Sequence, residues 1–127
     1  MTARPLPHIR RAAGALLAAG AALVAGHSAH VVHGAGPGVL YDLGDFVDDY
    51  AVHPALRNDL GLLFLVELNA YGPRSLEAVP LKLDYCHTRL ATDDEASWIR
   101  RRFVDACREL GTTAVDRGDR VLADMQR

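Results

Sequence analysis

Three histidines fall within seven residues in the stretch Gly26-His27-Ser28-Ala29-His30-Val31-Val32-His33, and four aspartates, Asp42, Asp45, Asp48 and Asp49, fall within eight residues shortly afterwards, in Tyr41-Asp42-Leu43-Gly44-Asp45-Phe46-Val47-Asp48-Asp49-Tyr50. Neutral imidazole and carboxylate are the side chains that hold Zn²⁺, Fe or Mn²⁺. An apolar run, Ala21 to Ala25, leads into the histidines. The pattern points to a divalent-metal site, or part of one, at the end of a buried strand. The competing reading is plain. His27 and His30 would be polar residues at a strand end, His33 a loop histidine, and the aspartates a solvated acidic loop. The aspartate spacing is not that of an EF-hand, which excludes a Ca²⁺ loop of that type.

Whatever positions these residues must be built from 127 residues, enough for one domain and one core. Half of the residues are hydrophobic, and the formal net charge is −2, which speaks against a nucleic-acid binder working through phosphate contacts. The charge is uneven: residues 1–40 carry Arg4, Arg10 and Arg11 and no acid, while the other 11 basic and all 16 acidic residues follow. Cys86 and Cys107 lie too far apart for a metal knuckle and read as two thiols, or as one disulfide in an oxidising compartment.

The first 26 residues admit two readings. A basic start followed by an Ala- and Gly-rich apolar run is what a signal peptide looks like, and that would place the protein outside the cytoplasm. The internal reading is a helix from Pro7 to Ala19 stopped by Gly20, then a buried strand over Ala21 to Ala25, with a cytoplasmic location. The run is short for a transmembrane helix. Further on, Val39 to Tyr41 suits a short strand, and Leu43 to Tyr50 has no clear period. Pro54 to Asp59 is a loop, since His53 precedes a proline. Leu62 to Leu68 is a near-continuous apolar run that suits a buried strand. After the turn Asn69 to Arg74, Ser75 to Tyr85 alternates, and Pro80 assigns it to a sheet edge or a bulge. Thr92 and Glu95 are spaced as a capping box opening a helix. Ile99, Phe103, Ala106 and Leu110 form its apolar stripe, with Trp98 and Cys107 flanking. Arg100, Arg101 and Arg102 fan round its solvated surface. Gly111 stops it, and Thr113–Val115 with Val121–Ala123 suggest a terminal hairpin.

The spacing R-x-x-A-x-x-L-x-x-A-G-A-x-L-V-x-G-H-S-x-H-V-V from Arg10 to Val32 resembles the C-terminal part of the CapA family, the capsule (poly-γ-glutamate) synthesis proteins. So does Leu40 to Val52, followed by Pro54, Leu56, Arg57, Asn58 and Asp59. That family is similar to calcineurin-like metallophosphoesterases. The resemblance implies an α/β (α+β) fold: part of a two-layer sandwich, a mixed sheet with flanking helices. It implies a divalent cation, Mn, Zn or Fe, in the complete fold, and His27 and His30 match the family's late histidine block. Gly26, Ser28, Asp42, Gly44, Asp45, Asn58 and Asp59 are the other motif positions. The family's earlier metal-binding blocks, of D-x-H, G-D-x-x-D and G-N-H-D/E type, would lie before Met1. The expectation is therefore a single partial domain over residues 1–127, incomplete as an enzyme and binding metal weakly alone. The glycine-rich link His33 to Gly38 is compressed and is expected to lack an edge strand.

Two functions follow. One is a piece of a metal-dependent hydrolase acting on a phosphate ester or polymer linkage, completed by an N-terminal half or capsule-synthesis partners. The other is a non-catalytic scaffold or export module of capsule polymer biosynthesis.

Overall fold

The computed structural model describes residues 2–47 and 52–126. The chain opens with helix α1 (Pro7–Ala18), started by a proline in its first turn and needing no side-chain cap. It ends in a pair of back-bonds, Gly20 N–H to the Leu17 carbonyl and Ala21 N–H to that of Leu16, which satisfy two of the helix's last carbonyls. Ala13 alone in this helix is buried. The strand expected over Ala21 to Ala25 is only two residues long, β1 (Val24–Ala25), and is half-buried to exposed. The back-bonded turn occupies Gly20 and Ala21, so extended pairing begins only at Val24.

The link after the histidines does carry a strand. β2 (Ala35–Gly36) and β3 (Val39–Leu40) form a tight hairpin through Pro37 and Gly38, and β1 adds to β3 in parallel, giving the order β1-β3-β2. The expected loss of an edge strand is thus corrected: a proline–glycine pair turns the chain in two residues, leaving room for a strand on each side. Among the described residues the β1–β3 pair is the parallel one, and the second sheet is antiparallel throughout. The fold is α+β.

The second sheet contains β4 (Leu60–Asn69), β5 (Gly72–Asp84), β6 (His87–Leu90), β7 (Ala114–Asp116) and β8 (Val121–Asp124). Its order is β4-β5-β8-β7, with β6 also on β5. Pro80 lies neither on a sheet edge nor at a bulge but inside the central strand. β5 pairs β8 through residues 75–78 and β6 through residues 81–84, so the position without an N–H falls in the gap between two partners. Its carbonyl still accepts a bond, from Ala91 N–H. β4 is likewise not buried on both faces: Leu62 is buried while Leu63 and Leu65 are exposed.

Helix α2 (Asp93–Glu109) covers one face of this sheet. The capping box does not form. Thr92 makes no side-chain cap bond, and Glu95 instead receives Arg89 at 3.2 and 3.3 Å. The buried stripe is Ala96, Ile99, Phe103 and Cys107: Ile99 and Phe103 lie where expected, while the fully buried Cys107 takes the place of Ala106, which is only partly buried. Phe103 meets Phe64 with ring centroids 5.6 Å apart, tilted by 55°. Burial pushes the Cys107 thiol up to about 11, against the lowering effect of the Ala35 N–H that it accepts at 3.4 Å. Ala35 and Leu40 from the small sheet, and Val32 just before it, join the same core as Leu62, Leu76 and Met125. The histidine stretch is therefore anchored at its far end in the core.

Candidate functional site

Gly26 sets where the histidine turn begins. Its N–H donates to the Leu40 carbonyl at 2.8 Å, and its carbonyl accepts Leu43 N–H at 3.0 Å. A Cβ here would lie 2.3 Å from the Tyr41 carbonyl oxygen, so only glycine lets the two backbones approach this closely. At the other end Val31 and Val32 are buried. Between these anchors the chain turns through two left-handed residues, Ser28 at φ 89° and His30 at φ 63°. Neither is glycine, and such conformations cost on the order of 1–3 kcal/mol each unless their surroundings impose them.

The aspartate segment is what imposes them. Asp42, almost wholly buried, accepts Ala29 N–H on Oδ2 and Gly44 N–H on Oδ1, both at 2.9 Å. Asp45 Oδ1 meets His30 Nδ1 at 2.7 Å, and His27 Nδ1 meets Ser28 Oγ at 2.7 Å. Gly44 sits at φ +70° with its missing Cβ 2.6 Å from Val32 Cγ2, so both its handedness and its lack of a side chain are used. The two motifs thus meet. Asp42 builds the turn, with both oxygens engaged by backbone. Asp45 orients an imidazole that is 54% exposed. A carboxylate on Nδ1 fixes the ring and leaves Nε2 as its other nitrogen, the arrangement used both for metal-ligating and for proton-accepting histidines.

Asn58 and Asp59, also motif positions, lie in a different cluster. Asn58 Oδ1 accepts His53 N–H at 2.7 Å. Asp59, its side chain 5% exposed, receives Arg57 in a two-point bond, 2.9 Å on each oxygen, and Lys82 on Oδ2. Burial alone would raise the Asp59 pKa; the hydrogen bonds and charges of Arg57 and Lys82 outweigh it and lower it to about 2. The Asp59 carbonyl also accepts Leu83 N–H at 2.7 Å, so the cluster starts the β4–β5 pairing. Nearby, the guanidinium carbons of Arg57 and Arg102 lie 5.9 and 5.4 Å from the Trp98 ring centre. Arg102 is half-buried rather than solvated and donates to the Leu56 carbonyl.

His33 lies in the loop before β2, as read, but it is buried there: it is 5% exposed, and its Nε2 bonds the Thr2 carbonyl at 2.8 Å. The adjoining Val31 and Val32 are drawn into the core and carry it inward. Asp48, Asp49 and Tyr50 lie outside the described residues. Among the described residues, no three His, Cys, Asp or Glu side chains converge as a metal site. The chemistry of the donors suits a divalent cation, but the assembled set does not reach the three or four protein ligands such ions take. Sequence reasoning missed Lys82 as the buried partner of Asp59. Its alternation with Leu81 and Leu83 puts it on the other face of the strand, and only the pairing of β4 with β5 brings it to the carboxylate.

The bacterial capsule synthesis protein model PGA_cap matches residues 1–50, a stretch that holds both the histidine turn and the aspartate segment. Two relatives, from Mycobacterium tuberculosis strains CDC 1551 / Oshkosh and ATCC 25618 / H37Rv, are each 31% identical over 116 residues, covering 84% of this chain. Both are described as probable polyglutamine synthesis accessory proteins. The chain spans about 30% of the length of these curated relatives. With its two linked motifs inside the matched stretch, the chain belongs to the bacterial capsule synthesis family PGA_cap, the CapA family.

Proposed function

We propose that this chain serves the synthesis of a capsule or polyglutamate-type polymer as an accessory module, and that His27 and His30 are its contribution to a divalent-metal site of phosphoesterase type. The observation that carries this reading is the mutual wiring of the two motifs: Asp42 holds the turn through Ala29 N–H, and Asp45 holds the His30 ring. An exposed, oriented imidazole on a backbone held in left-handed conformations is an arrangement that packing alone does not require. Any Mn, Zn or Fe would be taken at imidazole Nε2, with the other ligands supplied from outside the described residues. The substrate class is a phosphate ester or a polymer linkage.

A second reading, a non-catalytic scaffold or export module, is favoured by the incomplete ligand set. One genetic experiment separates the two. Deleting the gene in its host should lower polymer yield, and the unaltered gene should restore it. Under the metal reading, a His27→Ala/His30→Ala double variant fails to restore the yield although the protein accumulates normally. Under the scaffold reading it restores the yield fully. No change in polymer on deletion would remove both.

A further inference from the structure

Among the described residues β4 is an edge strand of ten residues with no proline, no lysine and a bulge only at its far end, between Glu67 and Leu68. The direction of its backbone groups follows from the ladder. Leu83 N–H donates to the Asp59 carbonyl, and this pair continues the β4–β5 register by one step. Bonded and non-bonded pairs alternate in an antiparallel ladder. Residues 61, 63, 65 and 67 therefore bond to β5, and Leu62, Phe64 and Val66 point their N–H and C=O away from the sheet. On the face opposite α2, Leu63 is 39% and Leu65 is 45% exposed, with Val79 and Leu122 partly exposed beside them.

We propose that this edge pairs antiparallel with β4 of a second copy, on a two-fold axis at Phe64, joining two sheets into one. The register is set by the strand's own sequence. A two-fold at Phe64 bonds Leu62 to Val66 of the second copy and places Leu63 opposite Leu65 on the open face, twice by symmetry. Centring on residue 63 leaves Leu65 facing Gly61, and centring on residue 65 sets Leu63 against the charged Glu67. At Phe64 the strand's single charge, Glu67, falls opposite Gly61 rather than opposite a second glutamate. Of these three centres it alone puts a leucine against each exposed leucine.

The register gives the test. In a background with the exposed Cys86 changed to serine, chains bearing Leu63→Cys and chains bearing Leu65→Cys are mixed and oxidised. Directly opposed non-bonded residues have Cα atoms about 4.5 Å apart, within disulfide reach. A covalent dimer is expected in the mixture, at least tenfold more abundant than with either chain alone. Equal cross-linking of each chain alone, or none in the mixture, overturns the proposal and gives the edge to a different occupant. Sedimentation of the unaltered 127-residue chain should show a dimer at about 100 µM, and a monomer at that concentration overturns it too. Val66→Pro removes an outward N–H and no bond to β5, so it should yield a folded monomer. A folded Val66→Pro dimer would contradict the proposal.

Discussion

Two acid–base clusters lie against each other in this molecule and are built in opposite ways. At the start of β4, Asp59 is buried, gripped by Arg57 and Lys82, and acidified to about 2. Across from it, where a Cβ on Gly61 would come within 3.0 Å of the Asp45 carbonyl oxygen, the histidine turn keeps its imidazoles at the surface on left-handed backbone. In the first cluster every charge is matched and the result is a fixed corner. In the second, Asp42 holds the backbone of the turn, Asp45 holds the His30 ring and the Ser28 hydroxyl holds that of His27. Shared motif membership therefore hides a division of labour: Asp59 and Asn58 hold the fold, and His27 and His30 face what the fold meets.

That division can be broken by substitution. The largest effect is expected from Lys82→Met, which leaves buried Asp59 half-compensated. A loss of about 3 kcal/mol in urea unfolding is expected, the range for breaking a buried pair, and a loss below about 0.5 kcal/mol would mean that Asp59 is not held as described. Gly44→Val should cost about 2 kcal/mol, since it combines a disfavoured φ with a clash against Val32. An unmoved melting curve would mean that the aspartate segment is not locked to the histidine turn.

Acid should act on the first cluster. The folded Asp59 titrates below its ordinary 3.8, so its contribution is complete above about pH 4 and disappears as pH falls through about 2. The lowering corresponds to about 2 kcal/mol, and Asp59→Asn should flatten the stability profile in that window. His30→Ala should be the mildest change, below about 1 kcal/mol, because the imidazole it removes is half exposed. A larger loss would move His30 into the structural class.

Much of the fold was legible in the sequence because local rules decided it: α1 and its glycine stop, the β4–β5 hairpin, α2 and the terminal β7–β8 hairpin. Several misreadings come from competition by partners that spacing does not reveal, while the shortened β1 and the added β2 come from local turns at Gly20–Ala21 and Pro37–Gly38. Thr92 and Glu95 had capping-box spacing, but Arg89 claimed Glu95. Pro80 looked like an edge residue, yet it fits a central strand because β6 and β8 leave a gap beside it. Ala106 belonged to the expected stripe, but the core turned to Cys107, whose sulfur receives the Ala35 N–H. In the candidate site the proximity of the aspartates to the histidines was legible. The split between Asp42 as builder and Asp45 as orienter was not, because it depends on which N–H groups the turn leaves in need of an acceptor.

The division of labour is tested most directly by thermal melting of the 127-residue chain with and without Mn²⁺ or Zn²⁺, for the unaltered protein, His27→Ala, His30→Ala and Asp59→Asn. A ligand that binds only the folded state raises its melting temperature by mass action. A small metal-induced rise is expected in the unaltered chain, absent from either histidine variant and preserved in Asp59→Asn even though that variant melts lower. Histidine variants that keep the rise, or an Asp59→Asn variant that alone loses it, would place the metal-facing chemistry in the buried corner and contradict the assignment.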